Sequence, residues 1–397
     1  MRKNFAKRAW YRIKKEIKTI VEYTKYYLLF PLALLLYANN EIYIVSERGV
    51  DARDNGYHMF SYLRKYHPEK ECYFIIDKKS PDFQKVAELG DVVQYRSLRH
   101  YLLFISAKYK LSSHVMGYSP DAERYISLHV RHHIPGFHIF LQHGVIKDDI
   151  EGLYKENTGV DIFICGAKPE CDFVSQTFHY GQDAKYTGLA RYDALQNIKT
   201  EDYILFMPTW RVYLRISSEK DFFSSLYFQK WYSLLHNEQL IRTLQKHHLK
   251  LVFYPHFEMQ KYIHLFGNSS DEIILADFAS FDIQKLIKEA KMLVTDYSSV
   301  FFDFAYMEKP CVYYQFEDND FYSKHYQHGY FDFKNSGFGE VAESEEEILP
   351  IISEYIDSNC ELKEKYRLRI KGFFPLHDNK NCERIYEAIE ALGCERD

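Results

Sequence analysis

Met292-Leu293-Val294-Thr295-Asp296-Tyr297-Ser298-Ser299-Val300-Phe301-Phe302-Asp303-Phe304 sets the fold of this chain. The apolar run at its start predicts a buried strand, and the hydroxyl-rich turn that follows predicts the opening of a helix running to Pro310. Cys311-Val312-Tyr313-Tyr314 then predicts the next strand, which completes a βαβ unit. Such a turn suits an anion. The first N–H groups of a helix have no intrahelical acceptor, and the aligned peptide dipoles add about half a positive charge there. Ser298 or Ser299 can cap the helix or donate a hydroxyl to a phosphate oxygen. Asp296 reads as structural, bonding backbone amides of the turn. Asp303, four residues after Ser299, falls on the same helical face.

Outward from this unit the same alternation continues. Glu41–Ser46, Cys72–Asp77, Lys108–Ser112, Phe137–Leu141 and Ile162–Cys165 predict strands, with a helix over 56–66 between the first two. A second series starts at Tyr203–Phe206 and passes through helices over about 222–246 to the strand Leu251–Tyr254. This is the pattern of an α/β protein with parallel, doubly wound sheets. The polar stretch Asn197–Asp202 predicts the linker, so the expected domains are 39–197 and 198–397, with the last helix a candidate to cross back. No internal repeat is visible, and the acidic run Glu343–Glu347 reads as a solvated helix start.

At 397 residues the chain can bury a large core and is expected to divide in two. A formal charge of −5 argues against nucleic acid, whose binding wants a basic stripe. The 35 Tyr and 30 Phe are mostly expected in the core. Seven cysteines without a C-x-x-C pair indicate neither a disulfide framework nor a zinc site, and point to a reducing compartment. Residues 1–38 differ from the rest. Eight Lys or Arg stand in the first 18 positions against Glu16 alone, and the apolar run Tyr27–Ala38 follows. That run is shorter than the roughly 20 residues a spanning helix needs, and Pro31 is expected to break or bend it. The segment is read as a basic, aromatic interfacial anchor on the cytoplasmic face of the membrane, against the alternative of a soluble helix packed on the first sheet.

Thr295-Asp296-Tyr297-Ser298-Ser299 with Phe302-Asp303-Phe304-Ala305 resembles the signature of the CDP-glycerol glycerophosphotransferase family, which builds teichoic-acid-type poly(polyol phosphate) chains. Gln142-His143-Gly144, Thr187-Gly188-Leu189-Ala190-Arg191-Tyr192-Asp193, Pro208-Thr209-Trp210-Arg211, Tyr254-Pro255-His256 and Phe373–Asn379 are similar to further blocks of that family, in family order. The resemblance implies a GT-B architecture, acceptor on the first domain and nucleotide donor on the second. It implies attack of an acceptor hydroxyl on the β-phosphorus of CDP-glycerol or CDP-ribitol, with CMP expelled. The implied acceptor is a lipid-linked glycan or polymer, in wall teichoic acid or capsule synthesis. No cofactor or metal is implied.

A hydroxyl needs a base near neutral pH, and histidine is the side chain poised there. His143, after the strand Phe137–Leu141, is expected to be that base, with Gly144 letting the backbone turn; a capping histidine is the plainer reading. His256 is expected to donate to the diphosphate or to protonate departing CMP, which would give a bell-shaped pH profile. Arg211 is expected to grip phosphate through its fork and Thr209 to add a hydroxyl. Asp303 and Asp378 are assigned to ribose or polyol hydroxyls. Asn379 replaces the family's Gly in a turn that needs a left-handed residue, which Asn tolerates.

Other patterns carry less. Asp318-Asn319-Asp320 resembles a metal motif of a different glycosyltransferase fold. His325 and His328 have ligand-like spacing without further ligands, and His132-His133 point apart. The chain departs from the family at Gln142 and Val145 beside His143, at Ala190, and at His328, which puts acceptor and polyol in question before phosphotransfer. Two readings compete with the transferase: a GT-B enzyme using a nucleotide sugar, and a non-catalytic subunit that binds nucleotide or glycan in a membrane assembly.

Overall fold

The computed structural model describes residues 2–37, 40–196, 198–317, 321–323 and 327–396. Seven parallel strands form the first sheet: β1 (Tyr43–Ser46), β2 (Cys72–Ile76), β3 (Val92–Gln94), β4 (Tyr109–Ser112), β5 (Phe137–Phe140), β6 (Ile162–Cys165) and β7 (Ala184–Tyr186). Their spatial order is β3-β2-β1-β4-β5-β6-β7. Six more form the second: β8 (Tyr203–Phe206), β9 (Lys250–Phe253), β10 (Ile273–Leu275), β11 (Leu293–Thr295), β12 (Cys311–Tyr314) and β13 (Gly339–Ala342), in the order β10-β9-β8-β11-β12-β13.

Most strands are buried along their whole length, as parallel strands must be when helices cover both sheet faces. In each sheet the order reverses at one place, between β1 and β4 and between β8 and β11. Ligands of such sheets bind beyond the carboxyl ends of the strands at these points. Here the segments that follow β4, β5, β8, β9 and β11 carry the candidate chemistry. The lobes share one apolar core in which Tyr192 stacks on Tyr306 at 4.1 Å, and a band of phenylalanines from Phe301 to Phe374 fills the space behind the serine turn.

Two elements differ from expectation. The helix after the serine turn stops at Tyr306, before Pro310, because Glu308 adopts a left-handed φ of 53° and the Lys309 amide folds back onto the Phe304 carbonyl. The amino-terminal segment is one 36-residue helix, Arg2–Tyr37, which Pro31 does not break. Tyr26 and Ala33 are buried against the helix Leu98–Ser106, and this packing keeps the two sides of Pro31 in line. Its longer stretch Ile13–Tyr37 is long and apolar enough, by length and composition, to cross a membrane, which the run Tyr27–Ala38 alone is not. The last helix, Asn381–Arg396, returns to the first lobe: Glu390 binds Lys70 at 2.8 Å and accepts from the Tyr43 hydroxyl, and Tyr386 stacks on His67. Asn379 has φ 59°, the left-handed turn that the sequence called for. Asn197, Asp318-Asn319-Asp320 and His325 lie outside the described residues.

Candidate active site

The floor of the second lobe is built on a buried carboxylate. Asp296 follows β11, and its Oδ1 accepts from the Thr209 and Tyr297 amides, each at 2.7 Å. Its Oδ2 accepts from Arg211 Nη2 at 2.9 Å. The structural role expected of Asp296 is the one it occupies, locking the segment after β8 to the segment after β11. Arg211 is corrected. Its side chain is fully buried, its Nε donates to Glu317, its Nη1 to the Thr209 carbonyl, and the rings of Tyr227 and Phe321 lie about it. The fork that was expected to hold phosphate is consumed by protein, because a guanidinium between two buried carboxylates has no reason to leave them. Thr209 is different: its hydroxyl is buried with no hydrogen-bond partner among the described residues.

Ser298 and Ser299 follow at half exposure. Among the described residues their amides meet no acceptor; Ser298 Oγ reaches the Val300 amide only at 3.5 Å. Opposite stands the segment after β5. A Cβ built on Gly144 would lie 3.5 Å from Ser299 Oγ and 3.7 Å from Arg191 Nη2, so the serine turn of one lobe directly faces the His143 segment of the other. The left-handed residue in that segment is Gln142, at φ 46°, not Gly144. Gln142 is held there by its Nε2 bond to the Ile164 carbonyl and by Asn55 on its own carbonyl. A Cβ at 144 would make only ordinary contacts there, so neither the turn nor the close approach requires glycine at this position.

The His143 ring keeps an exposed surface while atoms of both lobes crowd it. Burial, then Arg191 and Arg48, push its pKa down to about 4. One ring nitrogen bonds the Ser113 carbonyl, which fixes the tautomer and leaves the other nitrogen's lone pair free. His256, after β9, stacks on Trp210 with centroids 5.7 Å apart. Burial pushes its pKa down to about 4 as well, with His143 near enough to add to the shift. Its Nδ1 accepts from the Glu258 amide at 3.2 Å, so the neutral ring carries its proton on Nε2. Of the two roles expected for His256, this agrees with donation to the diphosphate and not with protonation of departing CMP. At neutral pH both imidazoles are neutral, one offering a lone pair and the other an N–H.

A family model for CDP-Glycerol:Poly(glycerophosphate) glycerophosphotransferase matches residues 28–391. The chain belongs to this family. It is 32% identical over 369 residues to the minor teichoic acid biosynthesis protein GgaB of Bacillus subtilis (strain 168), covering 90% of this chain and 40% of that one. It is 22% identical over 404 residues to the teichoic acid glycerol-phosphate transferase of Staphylococcus aureus (strain NCTC 8325 / PS 47), covering 95% and 99%. Among solved structures, that of the wall teichoic acid polymerase TagF aligns over 98% of both chains with a TM-score of 0.67 at 17% identity, and a variant of TagF was solved after a soak with CDPG. The GT-B arrangement is thus shared. The chain spans about two fifths of the length of GgaB.

Within this glycerophosphotransferase-family fold, Asp303 is also corrected. Asp303 is buried and pairs with Arg191, whose Nη2 reaches both carboxylate oxygens at 2.8 and 3.0 Å. With its lone pairs on Arg191 it is not presented to a ribose. Asp378 is exposed and bound to Arg384, beside His377, which meets the Tyr306 carbonyl at the far end of the helix that the serine turn opens. Arg191 carried no assigned role in the sequence, although it stands in one of the motifs. It pairs with Asp54, donates to the His143 carbonyl at 2.9 Å, and through Asp303 ties the first lobe to the second. An arginine in a motif with no stated task was the available signal. A second tie lies at Asp149, whose amide donates to the Gln327 carbonyl at 3.1 Å. His328 stacks on Tyr322 at 3.5 Å.

Proposed function

We propose that this chain transfers a polyol phosphate, glycerol phosphate first among candidates, from a CDP-polyol to a hydroxyl of a lipid-linked or polymeric acceptor, releasing CMP. One observation carries the reading: the segment bearing His143 faces the serine turn across a narrow interlobe gap, where the Ser298 and Ser299 amides meet no acceptor among the described residues. Family membership and the CDPG soak of the related polymerase support the donor class. His143 takes the proton of the acceptor hydroxyl, the new O–P bond forms at the β-phosphorus, and the bond to CMP breaks. The Ser298 and Ser299 amides and the Thr209 hydroxyl receive the phosphate oxygens, placed for the charge that develops there. CMP leaves as a phosphate whose second pKa is near 6, so it departs stably without a proton. A hydrogen bond from His256 Nε2 therefore suffices.

Incubating the purified chain with CDP-glycerol, CDP-ribitol and a panel of nucleotide sugars, with product mass analysis, tests the donor. CMP release from a CDP-polyol is expected; cleavage of a sugar nucleotide at the anomeric carbon would establish the competing glycosyltransferase. A second expectation concerns pH. A base works when neutral, and a depressed pKa keeps it neutral further into acid. Turnover should hold from pH 7 downward and be lost only as pH falls through about 4. Loss centred near the ordinary histidine value of about 6.5 would contradict the crowded setting of His143.

The cytoplasmic face of the membrane is the proposed location, and the amino-terminal helix supports attachment to a membrane surface. From Lys15 to Ala33, about 27 Å at 1.5 Å per residue, it lies along the first lobe. On that face Lys15 pairs with Glu123, the Tyr23 hydroxyl donates to the Arg124 carbonyl, and Glu22 accepts from Tyr101. A helix so flanked by polar groups is not surrounded by hydrocarbon, whereas its other face, with Leu28 72% and Leu35 82% exposed, suits insertion in the bilayer plane. The double substitution Leu28→Glu, Leu35→Glu is expected to reduce cosedimentation with vesicles containing anionic lipid by about tenfold or more, since burying each leucine is worth about 1.5–3 kcal/mol. Unchanged cosedimentation would remove the surface-anchor reading.

A further inference from the structure

A groove of about 470 Å³, within the ~300–1,000 Å³ range of small-ligand sites, runs along the seam between the helix Asn55–Tyr66 of the first lobe and the helix Ile283–Glu289 of the second. Its floor is the inter-lobe segment at Ile198, Lys199 and Glu201. It is distinct from the His143–Ser299 gap, whose residues do not line it. Five cationic side chains and three carboxylates line this groove, in a chain whose overall charge is negative. The three carboxylates offset part of this charge and leave the cations in excess. Asp282 caps its own helix by accepting from the Gln284 and Lys285 amides, and Glu289 lies 3.9 Å from Lys285. Arg53 is held by Asp82 at 2.8 Å, and Lys85 sits over the Tyr57 ring.

Lys199 and Lys288 make no ion pair among the described residues. Lys288 is half-buried; burial does most to lower its pKa, Asp282 opposes this, and Lys85 and Arg191 add to the lowering. His58, on the facing helix, is held neutral by burial with Lys288, Arg191 and Lys85 all near. A partly desolvated ammonium facing like charges costs free energy unless an anion joins it. The ligand such a place lacks is an anion small enough for the groove and able to reach both lobes.

We propose that this groove is a second anion subsite, separate from the donor's, which takes a phosphodiester of the acceptor chain between Lys199 and Lys288. The proposal rests on the polyol-phosphate transferase reading for the identity of the anion, since a poly(polyol phosphate) acceptor carries one phosphodiester per unit. An acceptor lying along the seam would be held by its finished units while its terminal hydroxyl reaches His143.

Binding of a fluorescently labelled synthetic glycerol phosphate hexamer to the full chain, without any donor, tests this by anisotropy. The double variant Lys199→Ala, Lys288→Ala is expected to bind the hexamer about tenfold more weakly or worse, the loss of charge-assisted contacts. Lys288→Arg should retain most binding, and Lys168→Ala, at an exposed pair with Asp172, should bind as the parent does. Equal affinity of parent and double variant, with both folded by circular dichroism, would overturn the subsite. Displacement of the hexamer by inorganic phosphate or CMP at concentrations no higher than its own would assign the anion to free phosphate and overturn the acceptor assignment. The two readings fail separately. Lysine-dependent hexamer binding without turnover of any CDP-polyol leaves the subsite and removes the transferase; CMP release with lysine-independent binding does the reverse.

Discussion

Replacing His143 by Ala is expected to lower turnover of a CDP-polyol by about 10²–10⁴-fold, the usual worth of a positioned general base. The fold should survive, because the ring is exposed at the cleft and the backbone turn is set by Gln142 and its bonds to Ile164 and Asn55. Three features make the imidazole suited to the task. Its pKa near 4 keeps the lone pair free at neutral pH, the Ser113 carbonyl fixes the tautomer, and Arg191 holds the His143 backbone carbonyl in place. Steady-state kinetics should show the loss in kcat with the donor KM little moved, since the ring acts on the acceptor proton. A variant with near-parental kcat would show that the base lies elsewhere. His256→Ala should act differently. It removes a neutral donor to the phosphate, so the loss is expected in both kcat and donor KM, without change in the acid limb of the pH profile.

Arg211→Met is expected to destabilise the chain by about 3–5 kcal/mol, the cost of leaving buried carboxylates without their cation. Both Asp296 and Glu317 are buried, and Arg211 contributes no exposed surface that water could replace. Methionine fills much of the volume between Tyr227 and Phe321, so the effect reads chiefly the lost charge and hydrogen bonds. Activity should fall with stability, because Asp296 and the Arg211 contact to the Thr209 carbonyl hold the loop that presents the Thr209 hydroxyl. The added change Glu317→Gln should return part of the stability by removing one of the stranded charges. Urea unfolding of the parent, single and double variants measures this. If Arg211→Met unfolds like the parent yet loses donor affinity selectively, Arg211 contacts phosphate after all, as the sequence suggested.

That pair of outcomes marks where sequence reasoning reached its limit. A strand followed by Thr-Asp-Tyr-Ser-Ser specifies the turn, but the helix opens only at Phe301, with Val300 rather than a serine at its N-cap. Its first N–H groups fold back onto the Ser298, Ser299 and Val300 carbonyls, so the amides without an acceptor among the described residues are those of Ser298 and Ser299, ahead of the helix. Position 296 was legible because a short acidic side chain at a turn finds its own local amides. Arg211 and Asp303 read differently in the sequence because a charged side chain looks the same there whether its partner is a ligand or a protein group 85 or 112 residues away, Asp296 for the one and Arg191 for the other. Arg191 was passed over for the converse reason. Its value lies in joining Asp54, the His143 carbonyl and Asp303, which only the closed lobes bring together.

The sequence by itself determined the doubly wound α/β class, the serine turn and the left-handed turn at Asn379, because these rest on periodicity and on backbone conformations that local residues impose, and its motifs carried the resemblance to the family. Only the tertiary structure decided which charges are spent on protein and which are left for a ligand, that the amino-terminal helix continues through Pro31, and that both histidines are neutral. Those properties depend on burial and on partners distant in the chain, and desolvation is a property of the packed molecule that no residue carries alone.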